Sequence, residues 1–157
     1  MFKVNDYVVY MHETCKVVEI KNIRGNDYYV LVPINDNTLK ISIPINNQNI
    51  KNVITKEEIN NLISNISNIK ELDLNDKNIE NIYKELLNEE GYEGLIKIIK
   101  TTYLRNQNRI NNKKKVSDKD DYYLNLAEKY LYSEMSITLN MSNEEVKEYL
   151  IKELEKI

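Results

Sequence analysis

The hydrophobic positions of this chain follow two different periods, and the change falls near residue 53. Before it, short runs rich in β-branched and aromatic residues are separated by turn residues, as is typical of strands. The runs are Tyr7–Tyr10, Lys16–Ile20, Tyr28–Val32 and Leu39–Ile43, with turn signals at Gly25–Asp27 and Asn35–Asn37. In the last run, Leu39, Ile41 and Ile43 alternate with Lys40 and Ser42, which predicts one buried face before Pro44 ends the strand. Five short strands in about 50 residues suit a small SH3-like or Tudor-like barrel.

Beyond residue 53, apolar residues recur with the helical period. Capping boxes precede three of these stretches: Thr55 with Glu58, Ser142 with Glu145, and a weaker acidic variant of Ser117 with Asp120. The pattern predicts helices near 56–69, 76–89, 92–111, 118–136 and 143–156, with Gly91 as an end signal between the second and third. We therefore expect an α+β chain, with a small antiparallel β-barrel over residues 1–53 and an all-α helical bundle over residues 54–157.

The overall charge adds little to this picture. The 157 residues include 22 basic and 25 acidic side chains, a net charge of −3, so no overall field attracts the protein to nucleic acid or to an anionic membrane. The first residues lack the apolar stretch of a signal peptide, and no run approaches the length of a membrane span. We expect a soluble, cytoplasmic protein.

Catalytic or metal-binding chemistry is not indicated. His12 and Cys15 are the only residues of their kinds, and two ligands do not make a structural zinc site. Gly25, Gly91 and Gly94 form neither a P-loop nor a dinucleotide fingerprint. Asp and Glu are interleaved with Lys, as on solvated helix faces. We expect no enzyme activity, no metal and no cofactor.

The distribution of the cations is more informative than their number. Seven cations and no acid lie between Leu95 and Lys115. They are Lys97, Lys100, Arg105, Arg109, Lys113, Lys114 and Lys115. On a helix, the apolar residues Leu95, Ile96, Ile99, Tyr103 and Ile110 would share one side, and Lys97, Lys100 and Arg105 the other. Such a helix, running into a basic loop, could neutralise phosphates without reading sequence; the pattern alone fits a solvated face equally well.

Three segments resemble motifs of the CarD family of bacterial transcription regulators. Phe2–Tyr10 is similar to the family's opening F-x-V-G-D-x-V-V-Y-P, and Leu39–Pro44 with the following Asn46 or Asn47 is similar to L-x-I-x-I-P-x-x-N. Tyr103–Gln107 falls where the family's third helix often carries W-R-R-x-Q. The order of the motifs, and of strands before helices, also agrees with that family.

The resemblance implies a function for each half. The barrel would bind the β subunit of RNA polymerase by pairing a strand edge with it, and the helical domain would contact promoter DNA at the upstream edge of the transcription bubble. Strand addition suits a small meander with exposed backbone donors and acceptors. The implied polymerase contacts are Ile23, Arg24, Lys40, Ile41, Ser42, Ile43 and Pro44. The implied DNA contacts are the seven cations above and Lys77.

The chain also departs from that family, and the departures support an alternative. The family's proline and glycines are missing from the turn at Tyr10–Cys15, and Ser42 stands where a basic residue often contacts polymerase. The chain has no tryptophan, and the matching wedge position falls between Leu74 and Asp76, while Asp121 replaces a basic residue. The alternative is a protein-interaction module that does not bind DNA, as its acidic flanks and many tyrosines would allow. These tyrosines include Tyr122, Tyr123, Tyr130 and Tyr132.

Overall fold

Strand-forming residues and tight turns determine the N-terminal half. This computed structural model describes residues 1–70, 78–89 and 91–157. Five strands follow in chain order: β1 Tyr7–Tyr10, β2 Glu13–Ile23, β3 Asn26–Pro33, β4 Ile41–Pro44 and β5 Ile50–Asn52. They form one antiparallel sheet in the order β4-β3-β2-β1-β5. The predicted α+β organisation, a Tudor-like sheet followed by helices, is confirmed.

The first two hairpins close through two-residue turns at positive φ. Met11 and His12 join β1 to β2 with φ of 49° and 69°, and Arg24 and Gly25 join β2 to β3 with φ of 53° and 84°. Such turns match the twist of paired strands but normally use Asn or Gly. The turn predicted at Gly25–Asp27 is therefore shifted by one residue, because Asn26 already belongs to β3.

β4 is shorter than predicted. It starts at Ile41, opposite Leu31 of β3, and Leu39 lies before it with 47 % of its surface exposed. The expected burial of Leu39 is wrong, because a turn in which the Leu39 N–H donates to the Asp36 carbonyl holds it outside the sheet. Ile43 does enter the core of the sheet.

The helical half begins directly after the sheet. Its helices are α1 Lys56–Ser64, α2 Ile79–Leu87, α3 Glu93–Asn111, α4 Asp118–Leu139 and α5 Asn143–Glu155. The boxes at Thr55 and Ser142 both form as predicted. α1 ends five residues before the predicted position and α4 continues three residues beyond it, since helix ends depend on tertiary contacts. None of the described helices is long and apolar enough to cross a membrane.

α4 joins the helical half to the sheet through the backbone of Ile54. The Glu134 side chain is only 3 % exposed, and it accepts hydrogen bonds from the Ile54 N–H at 2.9 Å and from the Tyr92 hydroxyl at 2.6 Å. One turn further along α4, the Thr138 hydroxyl donates to the Ile54 carbonyl. The side chains of one helix thus satisfy both backbone groups of the residue between β5 and α1.

Further contacts along the same face of α4 hold it against the sheet. The Asn35 amide donates to Ser133, and Lys129 pairs with Glu13 at 3.2 Å. The rings of His12 and Tyr130 stack with centroids 4.6 Å apart. The sheet and the helical half are therefore packed together and are not connected by a loose linker.

We expect Glu134 to make the stability of the fold depend on pH. Burial raises the pKa of Glu134 above its ordinary value of 4.5. A carboxyl with a raised folded-state pKa stabilises the fold fully below its unfolded value, and this contribution is lost as pH rises through the folded value.

The variant Glu134→Gln keeps an acceptor for Ile54 and Tyr92 but cannot ionise. Urea denaturation of both proteins across the acid-to-neutral range would measure the difference. The free energy of unfolding of the wild type, relative to that of the variant, should decrease as pH rises from about 4.5 toward neutrality. Parallel curves for the two proteins would contradict this assignment.

Candidate functional site

β4 forms a free edge of the sheet among the described strands, and its hydrogen-bond pattern fixes which groups face outward. The Ile45 N–H donates to the Asp27 carbonyl at 3.1 Å, and continuing the β3–β4 register places these two residues opposite each other. Because hydrogen-bonded pairs recur every second residue, Ile43 and Ile41 also point their backbone groups toward β3. The N–H and carbonyl of Ser42 therefore face away from the sheet.

The predicted docking residues surround this edge, although not all of their side chains are exposed to a partner. Ile23 and Arg24 are exposed at the tip of the β2–β3 hairpin, which is the end of the sheet where Pro44 lies. Lys40 and Ser42 are exposed, and Ile41 is half-buried. Ile43 packs in the sheet core with Tyr29 and Leu31, and its backbone groups point toward β3, so neither its side chain nor its backbone is available at the edge.

The cations of α3 are distributed differently from the prediction. Lys100 is only 4 % exposed, and its ammonium donates to the carbonyls of Ile66, Ser67 and Ile69 in the turn after α1. Its placement on a solvent face is therefore wrong: another part of the fold covers that side of the helix. Ile110, expected on the apolar side, is exposed. Lys97 is half-buried.

Arg105 and Arg109 meet at a buried acid. Asp120 has no exposed surface, and its Oδ2 accepts from Arg105 Nε at 2.9 Å and from Arg109 Nη1 at 2.6 Å. The Tyr83 hydroxyl donates to the other carboxylate oxygen at 2.9 Å. Burial, and then the Asp120 charge, raise the pKa of Tyr83. Asp120 thus fixes both guanidinium groups instead of completing a capping box, although its backbone N–H does donate to Ser117.

The end of α3 also has a fixed geometry. Lys113 takes a left-handed conformation with φ of 56°. Its N–H donates to the Ile110 carbonyl, and the Lys114 N–H donates to the Arg109 carbonyl at 2.7 Å. These two bonds form a Schellman motif with a lysine at the position that usually holds glycine. The motif places the backbone of Lys114 beside that of Arg109, and Lys113, Lys114 and Lys115 are all exposed.

A cleft of about 370 Å³ lies near the C-terminal end of α3 and is here called the basic cleft. Its lining residues are Arg105, Asn108, Arg109, Asn112 and Lys114. Lys77 and the wedge position between Leu74 and Asp76 lie outside the described residues.

The strand half matches a known family of domains. A sequence model of the CarD-like/TRCF RID domain matches residues 2–56, which include all five strands. Residues 2–56 are a CarD-like RNA polymerase-interacting domain. The match spans about a third of the chain and ends at the start of α1, so it carries no information about the helical half. No curated protein matches the chain.

The RID domain contains His12 and Cys15, the two residues considered above as candidates for metal binding or catalysis. Cys15 is buried, and this burial, with the nearby Glu13 charge, raises its pKa to about 11, which disfavours the reactive thiolate. His12 stacks on Tyr130, and burial followed by the Lys51 charge lowers its pKa. Among the described residues, no group of three or more His, Cys, Asp or Glu side chains could hold a metal ion.

Sequence reasoning missed the two acids that organise the helical half. Asp120 and Glu134 both fall among the buried positions of α4, with Tyr123, Ala127 and Leu131. A carboxylate on an apolar stripe is an available signal, because an acid is seldom buried without a partner. The spacing of Asp120 from Ser117 predicts only a role in the helix cap.

Replacing Asp120 should therefore destabilise the helical half strongly. Asp120→Ala leaves Arg105, Arg109 and Tyr83 without their shared acceptor, and we expect a loss of about 3–5 kcal/mol in the free energy of unfolding. Urea denaturation would measure it. The matched control is Asp121→Ala, which removes an exposed carboxylate from the next residue and should change stability by less than about 0.5 kcal/mol. Equal losses in the two variants would contradict the role assigned to Asp120.

Proposed function

We propose that this protein is a transcription regulator in which the RID domain docks on the β subunit of RNA polymerase through β4, and the helical half contacts promoter DNA near the upstream edge of the bubble. The match of residues 2–56 to an RNA polymerase-interacting domain carries the proposal. The regulator would act by binding and positioning, without a catalytic step.

The outward-facing backbone of β4 supports docking by strand addition. The N–H and carbonyl of Ser42 can form a hydrogen-bonded pair with one residue of a partner strand. Pro44, the next residue that faces outward, has no N–H, which limits how far the pairing extends. Ile23 and Arg24 at the hairpin tip would add side-chain contacts beside that strand. The absence of a basic side chain at position 42 makes the interface depend mainly on backbone hydrogen bonds.

Two features of the helical half support the DNA contact. Lys113, Lys114 and Lys115 are exposed in consecutive positions at one end of α3. Phosphate contacts of this kind give salt-dependent affinity without base recognition. The packing of α4 on the sheet holds these lysines in a defined place relative to β4, as a protein that bridges polymerase and DNA requires.

The helical half as a protein-binding module is the second candidate, and a specific observation favours it. Lys100 is buried, and Arg105 and Arg109 are both paired with Asp120. The cationic surface is therefore smaller than the sequence indicates, and a protein partner of the helical half would need less of it.

The variant Ser42→Pro tests docking through the β4 edge. Proline removes the outward N–H of residue 42, and an outward position on an edge strand tolerates it. We expect affinity for the isolated protrusion lobe of the β subunit to fall roughly tenfold or more, since a backbone hydrogen bond is lost and a ring is inserted at the interface. Calorimetry would measure the affinity.

The matched control for this test is Ser42→Ala, which keeps the N–H and should bind like the wild type. Circular dichroism should be the same for both variants, because the ladder between β3 and β4 does not use the N–H of residue 42. Unchanged binding by a folded Ser42→Pro protein would rule out strand addition at β4.

A salt series separates the two candidate functions of the helical half. Binding to duplex promoter DNA, followed by fluorescence anisotropy between about 50 and 200 mM salt, should weaken with a log–log slope of about −3 if three phosphates are contacted. A slope near zero, or no binding at the lowest salt, would favour the protein-binding module.

A further inference from the structure

The basic cleft has an unusual composition for a protein of net negative charge. Two arginines, one lysine and two asparagines line it, and none of its lining residues is an acid. Asp120, the acid that holds the arginines, is fully buried and is not among the lining residues. A ligand in this cleft would meet cationic groups and amide groups, so the cleft is suited to an anion.

Hydrogen bonds order the Arg109 guanidinium, the Lys114 backbone and the Asn108 amide before any ligand binds. Arg109 Nη1 is held by Asp120, which fixes the plane of the guanidinium. The Schellman motif fixes the backbone of Lys114 beside the Arg109 carbonyl. The Asn112 amide donates to Asn108 Oδ1 at 2.9 Å, so the nitrogen of the Asn108 amide is directed away from Asn112. Prior ordering of this kind lowers the entropic cost of binding.

We propose that the basic cleft binds a phosphate group, with Arg109 and Lys114 as its charged ligands and Asn108 as a neutral donor. A guanidinium presents several N–H groups in one plane, and Asp120 occupies only part of that set. The ammonium of Lys114 supplies a second positive charge, which can contact a phosphate from many directions. Arg105 also lines the cleft, but the proposal does not depend on it.

The phosphate has two possible sources: the backbone of nucleic acid or free inorganic phosphate. The first rests on the DNA contact proposed above, and the cleft would then bind a phosphate in the backbone of one DNA strand. The second is independent of DNA. Both sources use the same chemistry in the cleft.

Two variants and one control test the proposal on the full chain. Arg109→Met and Lys114→Met each remove one cation from the cleft. Arg105 still pairs with Asp120 in the first variant, and Lys114 is exposed, so both should fold; circular dichroism and urea denaturation verify this. Lys152→Met removes an exposed cation from α5, outside the basic cleft, and matches the loss of charge.

The first measurement uses inorganic phosphate as the probe. Nuclear magnetic resonance of nitrogen-labelled protein would follow the side-chain amides of Asn108 and Asn112 during titration with sodium phosphate, with sodium chloride at equal ionic strength as reference. Saturable shifts are expected in the wild type and in Lys152→Met, and strongly reduced shifts in the two cleft variants.

The second measurement is the DNA salt series, in which each cleft variant should lower the magnitude of the slope by about 1 and Lys152→Met should leave it unchanged.

The combined results of the phosphate titration and the DNA salt series distinguish four cases. Phosphate shifts together with reduced slopes support a cleft that grips nucleic acid. Phosphate shifts without any DNA binding support the cleft with free phosphate as the source and reject the DNA part of the proposed function. DNA binding with an unchanged slope in Arg109→Met and no phosphate shifts overturns the cleft proposal and leaves the proposed function standing, because that function rests on the exposed lysines. The absence of both kinds of binding overturns both.

Discussion

The arrangement of the sheet and the helical half depends on the hydrogen bonds made at Ile54, where the chain leaves the sheet. Ile54 is buried at the point where strand becomes helix, and there its backbone N–H and carbonyl have neither a sheet ladder nor water to bond. Glu134 and Thr138, one turn apart on α4, supply the missing partners. Because α4 also forms part of the helical core, the same helix determines how the helical half is folded and where it lies on the RID domain.

Two of the buried acids of α4, Asp120 and Glu134, each fix a different set of neighbours by accepting their hydrogen bonds. Near one end of the helix Asp120 holds two arginines, and near the other Glu134 holds a backbone amide and a tyrosine hydroxyl. Each takes the place of an apolar residue in the packing. A buried carboxylate gives less hydrophobic stabilisation than leucine would, but it specifies which neighbours must be present. The orientation of the domains and the shape of the basic cleft are both set in this way.

Local signals predicted the elements well, and tertiary contacts explain what they did not predict. The helix starts after Thr55 and Ser142 follow from capping boxes, which depend on residues three positions apart. The position of Lys100 could not be deduced in this way, because helical periodicity identifies a polar face without saying what covers it. The resemblance implied polymerase contacts in the segment that forms β4, but the outward direction of Ser42 required the register with β3. The partner is indicated by the motif resemblance and the domain match instead of by any physical pattern, and the domain match ends where the helices begin.

The edge formed by β4 has a consequence for the protein when it is alone. Unpaired strands invite identical chains to add to one another, and long flat edges lead to polymers. Here the outward backbone groups comprise those of Ser42, followed by a proline that cannot donate. Two copies meeting edge to edge would therefore gain very few hydrogen bonds, whereas a partner with a complementary surface around the hairpin tip would gain more. The shortness of the β4 edge therefore limits edge-to-edge pairing of identical chains through this strand.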